Sequence, residues 1–112
     1  MSSERVLVTG ATGFLGRQVC RRLETEPELQ VVKTSQSLGL DLRDAAATYQ
    51  LLGAEQPDFV IDCAAFTGGV QFGFQRQADV LRNNLLMFLS LHEACQGTGV
   101  RRLVRPIPNC AY

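Results

Sequence analysis

Residues 6–16 read Val6-Leu7-Val8-Thr9-Gly10-Ala11-Thr12-Gly13-Phe14-Leu15-Gly16, and this stretch decides the fold. Val6 to Val8 form a short apolar run of β-branched character, as in a strand buried on both faces. Glycines follow at 10, 13 and 16. From Arg17 to Glu24 the pattern turns helical, with Leu15, Val19 and Leu23 recurring every fourth residue. A strand that feeds a helix through such a turn presents backbone N–H groups at the positive end of the helix dipole. Together they make an anion site suited to a pyrophosphate. Gly10 would permit the tight turn, Gly13 would let a ligand approach the backbone, and Gly16 would let the helix lie close to the strand. The spacing is G-x-x-G-x-x-G rather than G-x-G-x-x-G. Glycines alone are a weak signal, so the strand before them and the helix after them carry the reading.

Outward from this turn, Glu26-Pro27-Glu28 breaks the helix and Leu29 to Thr34 reads as a second strand. An acid near the end of that strand would hold the ribose 2′-hydroxyl of NAD. No Asp or Glu stands between Leu29 and Leu40, and Lys33 is present. That favours the 2′-phosphate of NADP, with NAD as the alternative and a solvated edge lysine as the plain reading of Lys33. Asp44 is a helix N-cap for Ala45 to Glu55. Phe59 to Cys63 forms a third strand, followed by Ala64-Ala65, whose small side chains leave room for a ligand or for close packing. A glycine-rich loop, Phe66 to Arg76, leaves the carboxyl end of this strand, where open α/β sheets place ligands. A long helix then runs from about Arg76 to Gln96. Leu81, Leu85, Phe88, Leu89 and Cys95 mark one face of it, and Leu86 and Met87 make much of the rest apolar. A helix apolar on two sides packs against the sheet and against something else, and a second copy of the chain through residues 76–96 is one candidate. Gly97-Thr98-Gly99 stops it, and Val100 to Val104 starts a fourth strand. Strand and helix alternate throughout, which predicts right-handed crossovers and a doubly wound parallel sheet.

The chain of 112 residues is expected to form one domain. Lys plus Arg number 11 and Asp plus Glu 11, a balance that does not point to nucleic acid. Apolar runs are too short to span a membrane, and the segment from Met1 to Arg5 shows no signal-peptide core, so cytoplasm is the expected compartment. Cys20, Cys63, Cys95 and Cys110 are irregularly spaced and His92 is the single histidine. No metal site is expected, and Cys20, Cys63 and Cys95 read as small core residues.

The glycine turn, the Asp41-Leu42 pair and the strand ending in Ala64-Ala65 resemble the extended short-chain dehydrogenase/reductases, the nucleotide-sugar epimerases, dehydratases and reductases. The segment Ala64-Ala65-Phe66-Thr67-Gly68-Gly69-Val70 and the late Asn109-Cys110-Ala111-Tyr112 look most like the GDP-L-fucose synthase subfamily. The resemblance covers nearly the whole chain. It implies an α/β, Rossmann-like doubly wound parallel sheet, truncated after about four strands, with residues 1–112 as the NAD(P)-binding portion of a larger enzyme. By position it implies that Gly10, Gly13 and Gly16 hold the pyrophosphate, with Thr12, Phe14 and Leu15 shaping the loop. Asp41 and Leu42 would sit at the adenine, and Ala64 and Ala65 would line the nicotinamide side. Asn84 would support the active-site hydrogen bonds. Cys110 would be the acid/base of an epimerisation, moving a proton at a carbon next to a ketone.

The chain departs from that pattern twice. The subfamily's serine or threonine two residues before the cysteine is here Pro108, which has neither a hydroxyl nor an N–H. No Tyr-x-x-x-Lys occurs, and the sole lysine is Lys33. The family's general acid and its substrate lobe therefore lie outside this sequence. The expectation is cofactor binding without turnover, with a nucleotide sugar as substrate only in a complete enzyme.

Overall fold

The computed structural model of the chain describes residues 4–64 and 77–106. In order come β1 (Glu4–Thr9), α1 (Phe14–Leu23), β2 (Leu29–Lys33), a 3-10 turn (Gln36–Leu38), α2 (Ala45–Glu55), β3 (Phe59–Asp62), α3 (Gln77–Thr98) and β4 (Arg102–Val104). The expected alternation is present. The first helix begins at Phe14 rather than Arg17, because Gly13 already serves as its extended N-cap residue. Asp44 caps α2 as expected, its carboxylate accepting from the Ala47 N–H at 3.1 Å.

The four strands among the described residues are all parallel, in the order β2-β1-β3-β4. Val8 lies between Lys33 on one side and Ile61 on the other. The chain leaves β1 for the neighbour on one side and then returns to pair on the opposite side. With right-handed crossovers that reversal puts α1 on one face and α2 and α3 on the other. The period-2 sorting of β1 follows: Val6 and Val8 pack with Cys20 of α1, whereas Leu7 packs with Leu52 of α2 and Leu91 of α3. Leu7, Leu52, Val60 and Leu91 are each 0% exposed, and burying such a side chain contributes roughly 1.5–3 kcal/mol. The reversal also leaves the carboxyl ends of β1 and β3 side by side, which is where ligands enter open α/β sheets.

Helix α3 is apolar on two sides, but its faces divide differently from the expectation. Leu91, Ala94 and Cys95 form the buried side, with Met87 packed against the same cluster. Leu81, Leu85, Phe88 and Leu89 stay between 41% and 61% exposed. Cys95 therefore belongs to the core and not to the stripe of Leu81 and Leu85. Cys20 and Cys95 are buried, Cys63 is half-buried, and all three are free thiols, in keeping with their reading as packing residues.

Candidate functional site

The glycine turn lies at the point where the sheet reverses direction. Gly10 has φ +62°, a left-handed conformation that side chains resist. A Cβ there would also lie 2.7 Å from the Ala64 nitrogen and from the Cys63 carbonyl. A Cβ on Gly16 would collide with the Gly10 carbonyl, lying 2.8 Å from the Ala11 Cα as well. Gly13 differs from both. Its φ of −78° suits any residue, and its Cβ would meet only the Gly10 oxygen at an ordinary 3.4 Å. The protein's own packing does not require a glycine at 13, whereas a ligand resting on the turn would.

The turn holds its shape through backbone bonds. The Gly13 N–H donates to the Gly10 carbonyl at 3.1 Å and the Ala11 N–H to the Thr34 carbonyl at 3.0 Å. Helix α1 starts with no side-chain cap and no acidic residue in its first turn. The first N–H groups of a helix have no intrahelical acceptor, so an uncapped start of this kind can take an anion. Phe14 and Leu15 flank this end and are 78% and 44% exposed, unusual for apolar residues at the start of a packed helix.

A cleft continues from Thr9 and Gly10 along the end of β2, past Thr34, Ser35 and Gln36, to Leu40, Asp41, Leu42 and Arg43, with Met87 of α3 on its far side. Asp41 and Leu42 are therefore brought to the same cleft as the glycine turn. Leu42 also belongs to the core at 5% exposure. Asp41 is engaged within the protein: it accepts from the Arg43 N–H at 3.0 Å, from Nε at 2.9 Å and from Nη2 at 2.7 Å. Those side-chain hydrogen bonds, with the guanidinium charge behind them, hold its carboxyl below the usual carboxylate range. Arg43 in turn donates to the Asn83 side chain of α3 at 2.7 Å. Thr12 is exposed on the turn, its hydroxyl 3.1 Å from that of Ser37. Lys33 is not part of this wall. It shares the α1 face with Val31 and pairs with Glu24 at 3.2 Å.

Ala64 sits against the core at the end of β3, with its N–H held by Asp62 at 3.1 Å. Asn84 is half-buried on α3, one turn ahead of Phe88. Ala65, Pro108, Cys110 and Tyr112 lie outside the described residues.

Sequence reasoning passed over one polar cluster. Asp62, 5% exposed, accepts from the Thr9 hydroxyl at 2.5 Å and from Arg105 Nε at 2.6 Å, and it forms an ion pair with the same guanidinium. Arg105 Nη1 lies 3.1 Å from His92 Nε2, and its guanidinium lies over the Phe88 ring at 4.0 Å. The cluster ties the carboxyl ends of β1, β3 and β4 to α3, and its Thr9 also lines the cleft. Its signals were an acid at the end of an apolar strand and a base just after the next one. Among the described residues no group of His, Cys, Asp or Glu is placed to hold a metal, and no helix is long and apolar enough to cross a membrane.

The profile of the NAD dependent epimerase/dehydratase family matches residues 6–112. The chain belongs to that family. Within it, the chain is 33% identical over 110 residues to the probable GDP-L-fucose synthase of Drosophila melanogaster, covering 97% of this chain and 34% of the relative. It thus spans about a third of that protein's length. The dTDP-4-dehydrorhamnose reductase of Bacillus anthracis, solved in complex with NADP, superposes with a TM-score of 0.80 at 27% identity, over 91% of this chain and 35% of that one. The UDP-glucose 4-epimerase of Thermus thermophilus, solved with NAD, gives 0.78 at 28% identity, over 88% and 36%. The Rossmann-like α/β fold and the epimerase/dehydratase family are those that the resemblance of the glycine turn, the Asp41-Leu42 pair and Ala64-Ala65 implied.

Proposed function

We propose that residues 1–112 are the cofactor-holding portion of a nucleotide-sugar epimerase/reductase of the GDP-L-fucose synthase type. One observation carries the reading: Gly13, whose missing side chain serves no contact in the protein, stands at an uncapped helix start where the sheet reverses. In this reading the N–H groups of α1's first turn bind the pyrophosphate, Gly13 allows its close approach, and Asp41 and Leu42 border the adenine. Ala64 and Ala65 border the nicotinamide. NADP(H) is the cofactor proposed, with NAD(H) as the alternative, since no acid between Leu29 and Leu40 repels a 2′-phosphate. When bound, the nicotinamide supplies or accepts hydride.

The complete enzyme would epimerise and reduce a GDP-4-keto-6-deoxy sugar, with Cys110 exchanging a proton at a carbon next to the ketone and Asn84 supporting the site. Pro108 withholds the hydroxyl that would bind the substrate oxygen. With no Tyr-x-x-x-Lys in the sequence, the chain by itself binds cofactor and does not turn over. A cytoplasmic setting is supported by the free thiols of Cys20, Cys63 and Cys95. The exposed stripe of Leu81, Leu85 and Leu89 supports a second copy of the chain as partner. The test is incubation of the purified chain with NADPH and a GDP-4-keto sugar. Saturable NADPH binding with no consumption is expected, and steady consumption would overturn the reading.

A further inference from the structure

The carboxylate of Asp62 has two sides, and each holds a different part of the fold. On one side Oδ1 accepts from the Thr9 hydroxyl at 2.5 Å and from the Ala64 N–H at 3.1 Å. Thr9 and Gly10 line the cleft, and the Ala64 nitrogen stands 2.7 Å from where a Gly10 side chain would begin. Oδ1 therefore fixes the spacing between the glycine turn and the end of β3. On the other side Oδ2 takes Arg105, from Nε at 2.6 Å and from Nη2 in an ion pair. The remaining nitrogen of that guanidinium, Nη1, lies 3.1 Å from His92 Nε2. Phe88 stands one helical turn before His92, so the two rings share a face of α3. They stack with centroids 4.1 Å apart, and the guanidinium lies 4.0 Å over the Phe88 ring. Helix α3 thus aims Arg105, and Arg105 aims the carboxylate that holds the turn.

Arginine has donors only, so the Nη1 contact requires an unprotonated Nε2, with the ring proton on Nδ1. A second proton would replace the acceptor with a donor and set two cations against each other at 3.1 Å. The imidazolium would also compete with Arg105 for Asp62, drawing Oδ1 out of line with Thr9 and Ala64. We infer that His92 is a pH-sensitive latch on the cleft: neutral, it seats Arg105 on Asp62 and holds Gly10 and Ala64 in place, and protonated, it releases them. Among the described residues, the charged groups acting on His92 are Arg105 beyond β4 and Asp62 on β3. Glu93 follows it on α3, where adjacent side chains do not face each other. Cys95, three residues on, keeps its proton, since burial pushes its thiol up to about 11. Loss of solvent first, and the Arg105 charge second, push His92 below its ordinary 6.5, with Asp62 working against them. The latch therefore opens on the acid side of that value, and Arg105 is a positioning residue that acts through Asp62.

The test is NMR of the isotope-labelled chain, without nucleotide, from about pH 8 to about pH 5, following the His92 ring and the backbone amides. The Gly10 and Ala64 amides are expected to shift in one step whose apparent pKa is that of the His92 ring, below 6.5. His92→Gln keeps an acceptor and never gains a charge, and it is expected to lose that step. His92→Lys carries a fixed cation, and it is expected to hold both amides near their acid positions at neutral pH. Amides that ignore the His92 titration, or that keep the step in His92→Gln, would overturn the inference. Its consequence for binding rests on the dinucleotide reading above. Between about pH 7.5 and about pH 5.5, calorimetry is expected to show NADP affinity falling several-fold more in the native chain than in His92→Gln, a comparison that cancels titration of the nucleotide itself. Equal falls in the two would overturn the link to the cleft. An intact amide step beside no saturable NADP binding would overturn the dinucleotide reading and leave the latch standing.

Discussion

Gly16 packs against the Gly10 carbonyl so closely that no side chain fits between them. The first turn of α1 therefore rests on the end of β1, and the helix start is brought to the crevice. Gly16→Ala must push helix and strand apart. Overpacking of this kind costs about 1–3 kcal/mol, so a fall in denaturation midpoint is expected together with weakened NADPH binding. Unchanged stability would show that the contact yields easily.

Gly13→Ala separates the two roles of the turn. Backbone and space at 13 accept a methyl group, and alanine in place of glycine at an N-cap costs no more than about 1 kcal/mol. NADPH affinity is expected to fall by about tenfold or more, because the methyl stands where the ligand must approach. Equal affinity in this variant and the native chain would remove Gly13 from the site.

Asp62 and Arg105 join the carboxyl ends of β3 and β4 through a largely buried ion pair. Removing one member of a buried ion pair costs about 3–5 kcal/mol because the other charge is left stranded. Asp62→Ala should therefore destabilise strongly in urea denaturation, and Asp62→Leu combined with Arg105→Leu should destabilise less than either single change. A double variant as unstable as the sum of the singles would argue against direct coupling.

Burial pushes the Cys95 thiol up to about 11, with the Asp62 charge adding to the effect. In the unfolded chain the same thiol titrates near 9.0. Between those values the unfolded state has lost the proton that the folded state keeps, so this group's contribution to stability falls as pH rises from 9.0 to about 11. At pH 8 the native thiol is expected to resist iodoacetamide and to react once urea unfolds the chain. Rapid native labelling of Cys95, read by mass spectrometry, would contradict its placement in the core.

Leu85 and Leu89 are 50% and 53% exposed on α3. Replacing both with glutamate should alter stability by no more than about 0.5 kcal/mol each, as at other surface positions. If this stripe joins two copies, the native chain should sediment as a dimer and the double variant as a monomer. A native monomer across the concentration range would remove that role.

Much of this architecture was legible because β1 and its glycines combine several independent signals. The apolar run of Val6 to Val8 required a strand covered on both faces, and Gly10 and Gly16 are where a side chain would collide. The cap at Asp44 and the break at Pro27 set element ends through local chemistry alone. What the sequence did not disclose depends on contacts distant along the chain. Asp62 and Arg105 meet only because β3 and β4 pair, and Lys33 meets Glu24 only because α1 packs back over β2. The division of α3 into a buried and an exposed side also escaped the pattern, since leucines occupy both and only packing against Leu7 and Leu52 distinguishes them.

The central claim is that backbone N–H groups of the glycine turn bind a dinucleotide's phosphates, and amide NMR of the isotope-labelled chain titrated with NADPH tests it most directly. Saturable shifts concentrated at the amides of residues 10–16 are predicted. Saturation without movement at Gly10, Gly13 and Gly16, or no response from a folded chain, would contradict the account.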